Sequence, residues 1–285
     1  MILELETLEE IIKVLLFTSC VRDAIPVSCI LVAPSGTAKS SLIRRVNAEF
    51  IHHTDSFTSQ GLFDIAIRDP KSILRFLAVP DINPSLSRRP STVQAAVANL
   101  LSLTFDGVVR VDDGRSVKEC KHEPMGFISG VTPEIYRLQA KKWFALGLRR
   151  RIIPLFYQYG IETTAKLQVA VSYGKIKQKL DGYITLKNGT PRLPAIDNVN
   201  GLHIQSISEK FATLLGKNYV TVKREDKIAR RWYIENIVPV SPHLTLRTLA
   251  QAHAIVRNSP KVEQEEIDFL LRFISFCDPE VPKQI

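Results

Sequence analysis

Cysteine is scarce in this chain of 285 residues, and the four present, Cys20, Cys29, Cys120 and Cys277, are scattered. None stands in a Cys-x-x-Cys pair, and His122, two positions beyond Cys120, adds too little for a zinc site. Scattered cysteines of this kind are expected to be reduced and structural, in a cytoplasmic protein. Long apolar runs are missing too. None reaches the roughly 18 residues of a membrane span, so no membrane association is expected. The N-terminal stretch "MILELETLEEIIKVLLF" opens with acids where a secretory signal would open with basic residues. Its apolar residues recur at helical spacing, which predicts an amphipathic helix of the fold. There is no internal repeat.

What is present is an ordinary globular balance, 45% apolar and 24% charged. The length suffices for one good core and a smaller second one. Basic residues outnumber acidic ones, 38 to 29, for a net charge of +9. Such a surplus attracts phosphate polymers, because each neutralised phosphate releases condensed counterions. A generic basic surface is almost as common a source of such a surplus. The cations cluster at Arg44-Arg45, Arg88-Arg89, Arg149 to Arg151 and Arg230-Arg231. The last pair precedes Trp232 and Tyr233, and aromatics beside arginines can stack bases. Four residues are weak grounds, and Trp232 reads more simply as core.

Strands alternate with helices over the first part of the chain. "PVSCILVA" (26–33), "SILRFLAVPD" (72–81), "MGFISGV" (125–131) and "RIIPLFY" (151–157) are short apolar runs that predict buried strands. "KSSLIRRVNAEF" (39–50) and "STVQAAVANLLSL" (91–103) predict helices, the second capped by Ser91. "GVVRVDDGR" predicts one arm of a hairpin turning at Asp113-Gly114. This order predicts an α/β fold, a parallel sheet between helices, over residues 1–160. Beyond Gly160 comes a turn-rich connection (186–202). The segments "SISEKFATLLGK", "REDKIARRWYI", "TLRTLAQAHAIVRN" and "VEQEEIDFLLRFISF" are apolar at helical spacing. They predict a smaller, mostly helical domain over residues 161–285.

The stretch "LVAPSGTAKSSLIRRV" (31–46) joins the first strand to the first helix. It has the order of a phosphate-binding loop, yet Ala33 and Ala38 stand where G-x-x-x-x-G-K-[ST] has glycines. The chemistry asks for backbone N–H groups at a helix N-terminus, a lysine charge and a hydroxyl for Mg2+. Pro34, Ser35, Gly36, Thr37, Ala38, Lys39, Ser40 and Ser41 would form the cradle, with Lys39 on the β- and γ-phosphates of ATP. Ala38 is tolerable if its dihedrals lie near the helical region, where no positive φ is required. Asp81, ending the second strand, would join Ser40 on the metal. Thr132, ending the third, would orient water near the γ-phosphate. A strand-terminal Asp and a Thr-Pro pair are also common as plain turn residues.

With these residues in this order, the sequence resembles the AAA+ ATPases, and among them the minichromosome maintenance (MCM)-like group of archaea and mobile elements. "APSGTAKS" looks like the Walker A of MCM helicases, where alanine precedes the lysine. "FLAVPDIN" looks like Walker B and "FISGVTPE" like sensor 1. "KKWFALGLRRRIIPLFYQY" is similar to the segment that carries the arginine finger, and "HLTLRTLAQAHAIV" to the lid helix that carries sensor 2. The resemblance implies an AAA+ P-loop core followed by a helical lid, with ATP and Mg2+ as ligands. It also implies a homo-oligomer, a hexameric ring, acting on DNA. Thr132 would sense the γ-phosphate. Arg151 would be the finger completing a neighbour's site, with Arg149 and Arg150 as alternative registers. Arg247 would report nucleotide state to the lid.

Two residues depart from that group. Arg150 stands where serine precedes the finger. Ile82 follows Asp81 where a glutamate would polarise the attacking water, and isoleucine can neither accept a proton nor orient water. The acid would then come from Asp55, Asp64 or Glu134. Turnover is expected to be slow, near or below about 1 s⁻¹, and Ile82→Glu is expected to raise it. The function expected is a DNA-acting motor, helicase-like or translocase-like, of a replication or mobile-element system. The alternative is a slowly hydrolysing ATP-dependent switch, loader or scaffold for a partner protein. The hairpin-like segment with Arg110, Arg115 and Lys118 would face a ring's pore or be an exposed charged hairpin.

Overall fold

The computed structural model describes residues 5–112, 116–145, 147, 151–172, 184–185, 192–224, 227–234 and 240–285. The chain enters through α1 (Glu6–Phe17), whose apolar stripe from Leu8 to Leu16 is buried. A 3₁₀ turn (Thr18–Cys20) leads into β1 (Ser28–Val32), buried along its whole length. Then come α2 (Lys39–Arg45), β2 (Val46–Asn47), β3 (Ile51–His53) and α3 (Ser59–Arg68). β4 (Phe76–Val79), α4 (Asn83–Leu86) and α5 (Pro90–Phe105) follow. β5 (Val108–Asp112) and β6 (Val117–Lys121) form an antiparallel pair. They precede β7 (Gly126–Val131), α6 (Pro133–Ala145) and β8 (Ile152–Gln158). The remainder comprises α7 (Ile161–Ser172), β9 (Ile184–Thr185), α8 (Asn198–Gly216), β10 (Lys217–Arg224) and β11 (Lys227–Ile234). It closes with α9 (Val240–Val256), α10 (Gln264–Ser275) and β12 (Lys283–Gln284).

The fold is α/β: one six-stranded parallel sheet flanked by helices, in the order β12-β8-β1-β7-β4-β3. Burial on both faces is why β1, β4, β7 and β8 read as unbroken apolar runs rather than alternating ones. The chain leaves β1 for the far edge at β3, returns through β4 and β7, and then crosses β1 to β8. β1 thus lies where connections on its two sides diverge, the place where an open sheet leaves a crevice at its carboxyl edge. One apolar cluster joins α1, β1 and α2 to α8, α9 and α10. The other joins β4 and β7 to α3, α5 and α6. The last residues return to the sheet, where Gly160 N donates to Ile285 O and Ile285 N to Gln158 O.

Several elements differ from the sequence expectation. α2 stops at Arg45, because Val46 and Asn47 turn extended and pair with β9. β4 begins only at Phe76, because the Asp69 carboxylate accepts from Ile73 N (3.0 Å) and Leu74 N (2.6 Å) and holds the preceding residues as a loop. Pro90, not a Ser91 cap, opens α5 at its first turn, where the N–H that proline lacks would be unpaired anyway. α8 starts inside the expected connection, capped by Asp197, which accepts from Asn200 N at 2.8 Å. "REDKIARRWYI" is not helical. It supplies β11, antiparallel to β10, and the β-branched and aromatic residues at 219–222 and 232–234 favour that ribbon. The Asp113-Gly114 turn, Arg115, Arg149 and Arg150 lie outside the described residues. No described helix is long and apolar enough to cross a membrane.

Candidate functional site

β1 ends at the carboxyl edge of the sheet, and residues 33–38 carry the chain into α2. Gly36 (φ 82°) and Ala38 (φ 61°) both take left-handed backbone. Among the described residues, the N–H groups of Gly36, Ala38, Lys39, Ser40 and Ser41 donate to no protein acceptor. A Cβ added at Gly36 would meet nothing within 4 Å, so the loop faces open space. Unpaired N–H groups at the positive end of a helix form a nest for an anion.

Three side chains set the loop's shape. Lys39 Nζ donates to Ala33 O and Pro34 O, each at 2.6 Å. Thr37 Oγ1 donates to Pro34 O at 2.7 Å. Tyr157, reaching over from β8, donates its hydroxyl to Thr37 O at 3.0 Å. Lys39 is only 9% exposed. Desolvation by burial lowers its pKa, opposed by the charges of Asp81 and Glu134. Burial pushes the Tyr157 phenol well above its usual value, so it remains a donor throughout the physiological range.

The neighbouring strand ends complete the site. Ser40 Oγ donates to Pro80 O at 3.1 Å, which sets its oxygen beside exposed Asp81. Asp81 Oδ1 accepts from Asn83 N at 2.9 Å. Thr132 follows β7 directly, and its carbonyl opens α6 by accepting from Tyr136 N at 2.9 Å. Because β7 pairs with both β1 and β4, the loop, Asp81 and Thr132 arrive from three adjacent strands. Of the three candidate acids, Asp55 is held on Arg44 at 2.9 Å. Asp64 bonds Gln60 and lines a separate hollow with Arg68 and Arg88. Glu134 alone of the three acts on Lys39, and it shares a cavity of about 220 Å³ with Pro34, Tyr157 and Lys217.

Two details bear on the alanine and isoleucine that depart from the usual pattern. Ala38 does not have helical dihedrals. Its positive φ is the glycine-favouring region, which costs an L-residue roughly 1–2 kcal/mol. Ala33, by contrast, has no positive φ, so glycine is not needed there. Ala38→Gly is therefore expected to stabilise the fold by about 1 kcal/mol, read as a higher thermal midpoint. An unchanged or lower midpoint would mean that the loop tolerates alanine without strain. Ile82 is 1% exposed and sits in the second apolar cluster. A glutamate there would carry its charge into the core instead of toward the loop.

Two residues of the site were not singled out from the sequence. A Cβ on Gly130 would fall 2.9 Å from Pro80 O and 3.3 Å from Lys39 Cβ, so the lysine stem passes over a position only glycine fits. A glycine inside an apolar strand is the signal for such a close approach. Tyr157 carried no signal, since a tyrosine in a buried strand reads as core. Tyr157→Phe is expected to cost about 1 kcal/mol by leaving the buried Thr37 carbonyl unpaired, and to weaken anion binding at the loop. Paired thermal melts and phosphate-ligand titrations check both effects.

Arg151 and Arg247 are not brought to the loop. Arg151 precedes β8 at the opposite, amino edge, roughly 20 Å away by strand rise. Its guanidinium lies 4.5 Å over the Phe105 ring, and Nη1 donates to Leu101 O at 3.5 Å. Arg151, Arg247 and Arg22 line one cavity of about 660 Å³ that contains no residue of the loop. No protein-family model matches this sequence, and comparison with curated proteins gives no match.

Proposed function

We propose that the chain is an ATP-binding AAA+ ATPase of the MCM-like type that acts on DNA as an oligomer. The carrying observation is the run of unpaired N–H groups around Lys39, with Ser40 tied to Pro80 next to Asp81. MgATP fits these residues. The N–H groups and Lys39 would hold the phosphates. Ser40, whose proton is engaged on Pro80 O, keeps oxygen lone pairs for the metal, and Asp81 offers a carboxylate. Among the described residues, no group of three or more His, Cys, Asp or Glu could hold a metal. Phosphate oxygens and water would therefore supply its remaining ligands. When bound, the metal neutralises phosphate charge.

An arginine at the edge away from the loop cannot complete its own chain's site. That position supports a finger acting on a neighbour and hence a closed ring, for which the resemblance supplies six as the subunit number. Arg247 shares that cavity, so it too would act toward a neighbour. The packing of α8, α9 and α10 against α1 supports the lid reading. The free thiols Cys20, Cys29, Cys120 and Cys277 fit a reducing, cytoplasmic setting.

Glu134 is the acid best placed to orient water, and Ile82→Glu loses its rationale, because it would destabilise the core rather than add a base. Glu134→Gln is expected to lower turnover by about 10²-fold with ATP affinity retained. Wild-type turnover in that variant would reassign the acid to another residue. The buried Ile82 favours a second reading, a slow ATP-dependent assembly switch, loader or scaffold. The deciding experiment is ATP turnover with and without single- and double-stranded DNA, run beside size measurements with and without nucleotide. Turnover with assembly supports the motor. Assembly without turnover supports the switch, and absence of ATP binding removes both.

A further inference from the structure

β10 and β11 pair over their full length, from Lys217↔Ile234 to Arg224↔Lys227. Opposed residues share a face, and successive residues alternate between faces. Tyr219 is directly opposite Trp232 on one face, and Arg230, opposite Thr221, follows on that face toward the tip. On the other face Val220 is opposite Arg231, and Arg224 is opposite Lys227. A ribbon that laid one face on the body of the protein would keep that face apolar. Here both faces mix apolar residues with cations, and neither strand contains Asp or Glu. Burying either face whole would bury charge at high cost. Between Lys217 and Ile234 there are six basic residues against two acidic ones, Glu225 and Asp226, which connect the strands.

The ribbon is rooted beside the loop. β10 runs against α6 and β11 against α8. Lys217 is held by Asp278 (3.1 Å) and Glu280 (2.9 Å), and it lines the same cavity as Pro34 and Glu134. We propose that the β10–β11 ribbon binds single-stranded DNA. Tyr219 and Trp232 stack on unpaired bases, and Arg230 and Lys223, which follow on the same face, neutralise phosphates. Aromatic residues at directly opposed positions of a strand pair are suited to base faces that a duplex hides, and a cationic strand pair follows a phosphate backbone. The proposal rests on the DNA-acting reading and names its binding element, yet it needs neither ATP nor hydrolysis.

The test is fluorescence anisotropy of a labelled oligo-dT strand, and of a duplex of equal length, across a salt series without nucleotide. Wild type is expected to prefer the single strand. Trp232→Ala and Tyr219→Ala are each expected to weaken strand binding roughly ten-fold, while Trp232→Phe keeps most of it. The double variant Lys223→Gln, Arg230→Gln is expected to reduce the log–log salt slope by about 1.4. If an alanine variant fails to fold, Trp232→Phe and the Lys223, Arg230 double variant still decide. An unchanged slope, or equal loss of duplex and strand, overturns the proposal. Lys39→Ala should lose ATP and keep the strand, and ribbon variants should lose the strand and keep ATP. Those two patterns separate failure of the ribbon from failure of the nucleotide site.

Discussion

Lys39→Ala is expected to weaken ATP binding by about ten- to 150-fold, enough to abolish it at ordinary working concentrations. The ammonium is the cation that the loop carries at its centre, held on Ala33 O and Pro34 O and flanked by unpaired N–H groups. A charge-assisted contact to phosphate contributes roughly 1.5–3 kcal/mol, or about ten- to 150-fold in affinity. The alanine also removes the stem that passes over Gly130. Equilibrium titration with ATP checks this, and an affinity equal to wild type would remove the nucleotide reading. The lowered lysine pKa sets a pH dependence with a definite sign. Desolvation lowers the value in the free protein, and bound phosphates would raise it again. Affinity should therefore fall as pH rises through the free-protein value, which lies below the 10.5 of an ordinary lysine.

Arg151→Ala is expected to leave ATP binding intact and to lower hydrolysis on the order of 10³-fold or more. Its place at the amino edge, in the cavity it shares with Arg22 and Arg247, keeps it off its own loop. Mixing Arg151→Ala subunits with Lys39→Ala subunits should restore part of the activity. In a mixed ring, an intact loop on one subunit meets an intact arginine on the next. Normal turnover by Arg151→Ala, with loss in Arg149→Ala or Arg150→Ala, would shift the finger along the run. Absence of any recovery on mixing would argue against action on a neighbour. The alanine also removes the ring contact with Phe105, so a thermal melt should accompany the assay.

Much of the sheet was legible because a fully buried parallel strand leaves a plain trace, an apolar run with β-branched residues. β1, β7 and β8 agree with their runs to within a few residues. The polar groups at the strand ends were legible for a related reason. Lys39, Ser40, Asp81 and Thr132 each interrupt an apolar run where the chain leaves the sheet. β11 misled because Ile228, Trp232 and Tyr233 satisfy a helical spacing as well as a strand's alternation. Only pairing with a second strand separates the two.

The sequence by itself determined that the runs holding β1, β4, β7 and β8 are buried strands and which residues stand at their ends, since both follow from local hydrophobic pattern and composition. The tertiary structure decided the rest. It alone made β7 a neighbour of both β1 and β4, which gathers the loop, Asp81 and Thr132 at one edge. It alone turned Ile82 into the core, set Tyr157 under Thr37, put Ala38 in a left-handed conformation and moved Arg151 to the far edge. The physical reason is that strand order, side-chain direction and loop dihedrals are set by contacts between residues far apart in the chain. No local window of sequence contains those partners.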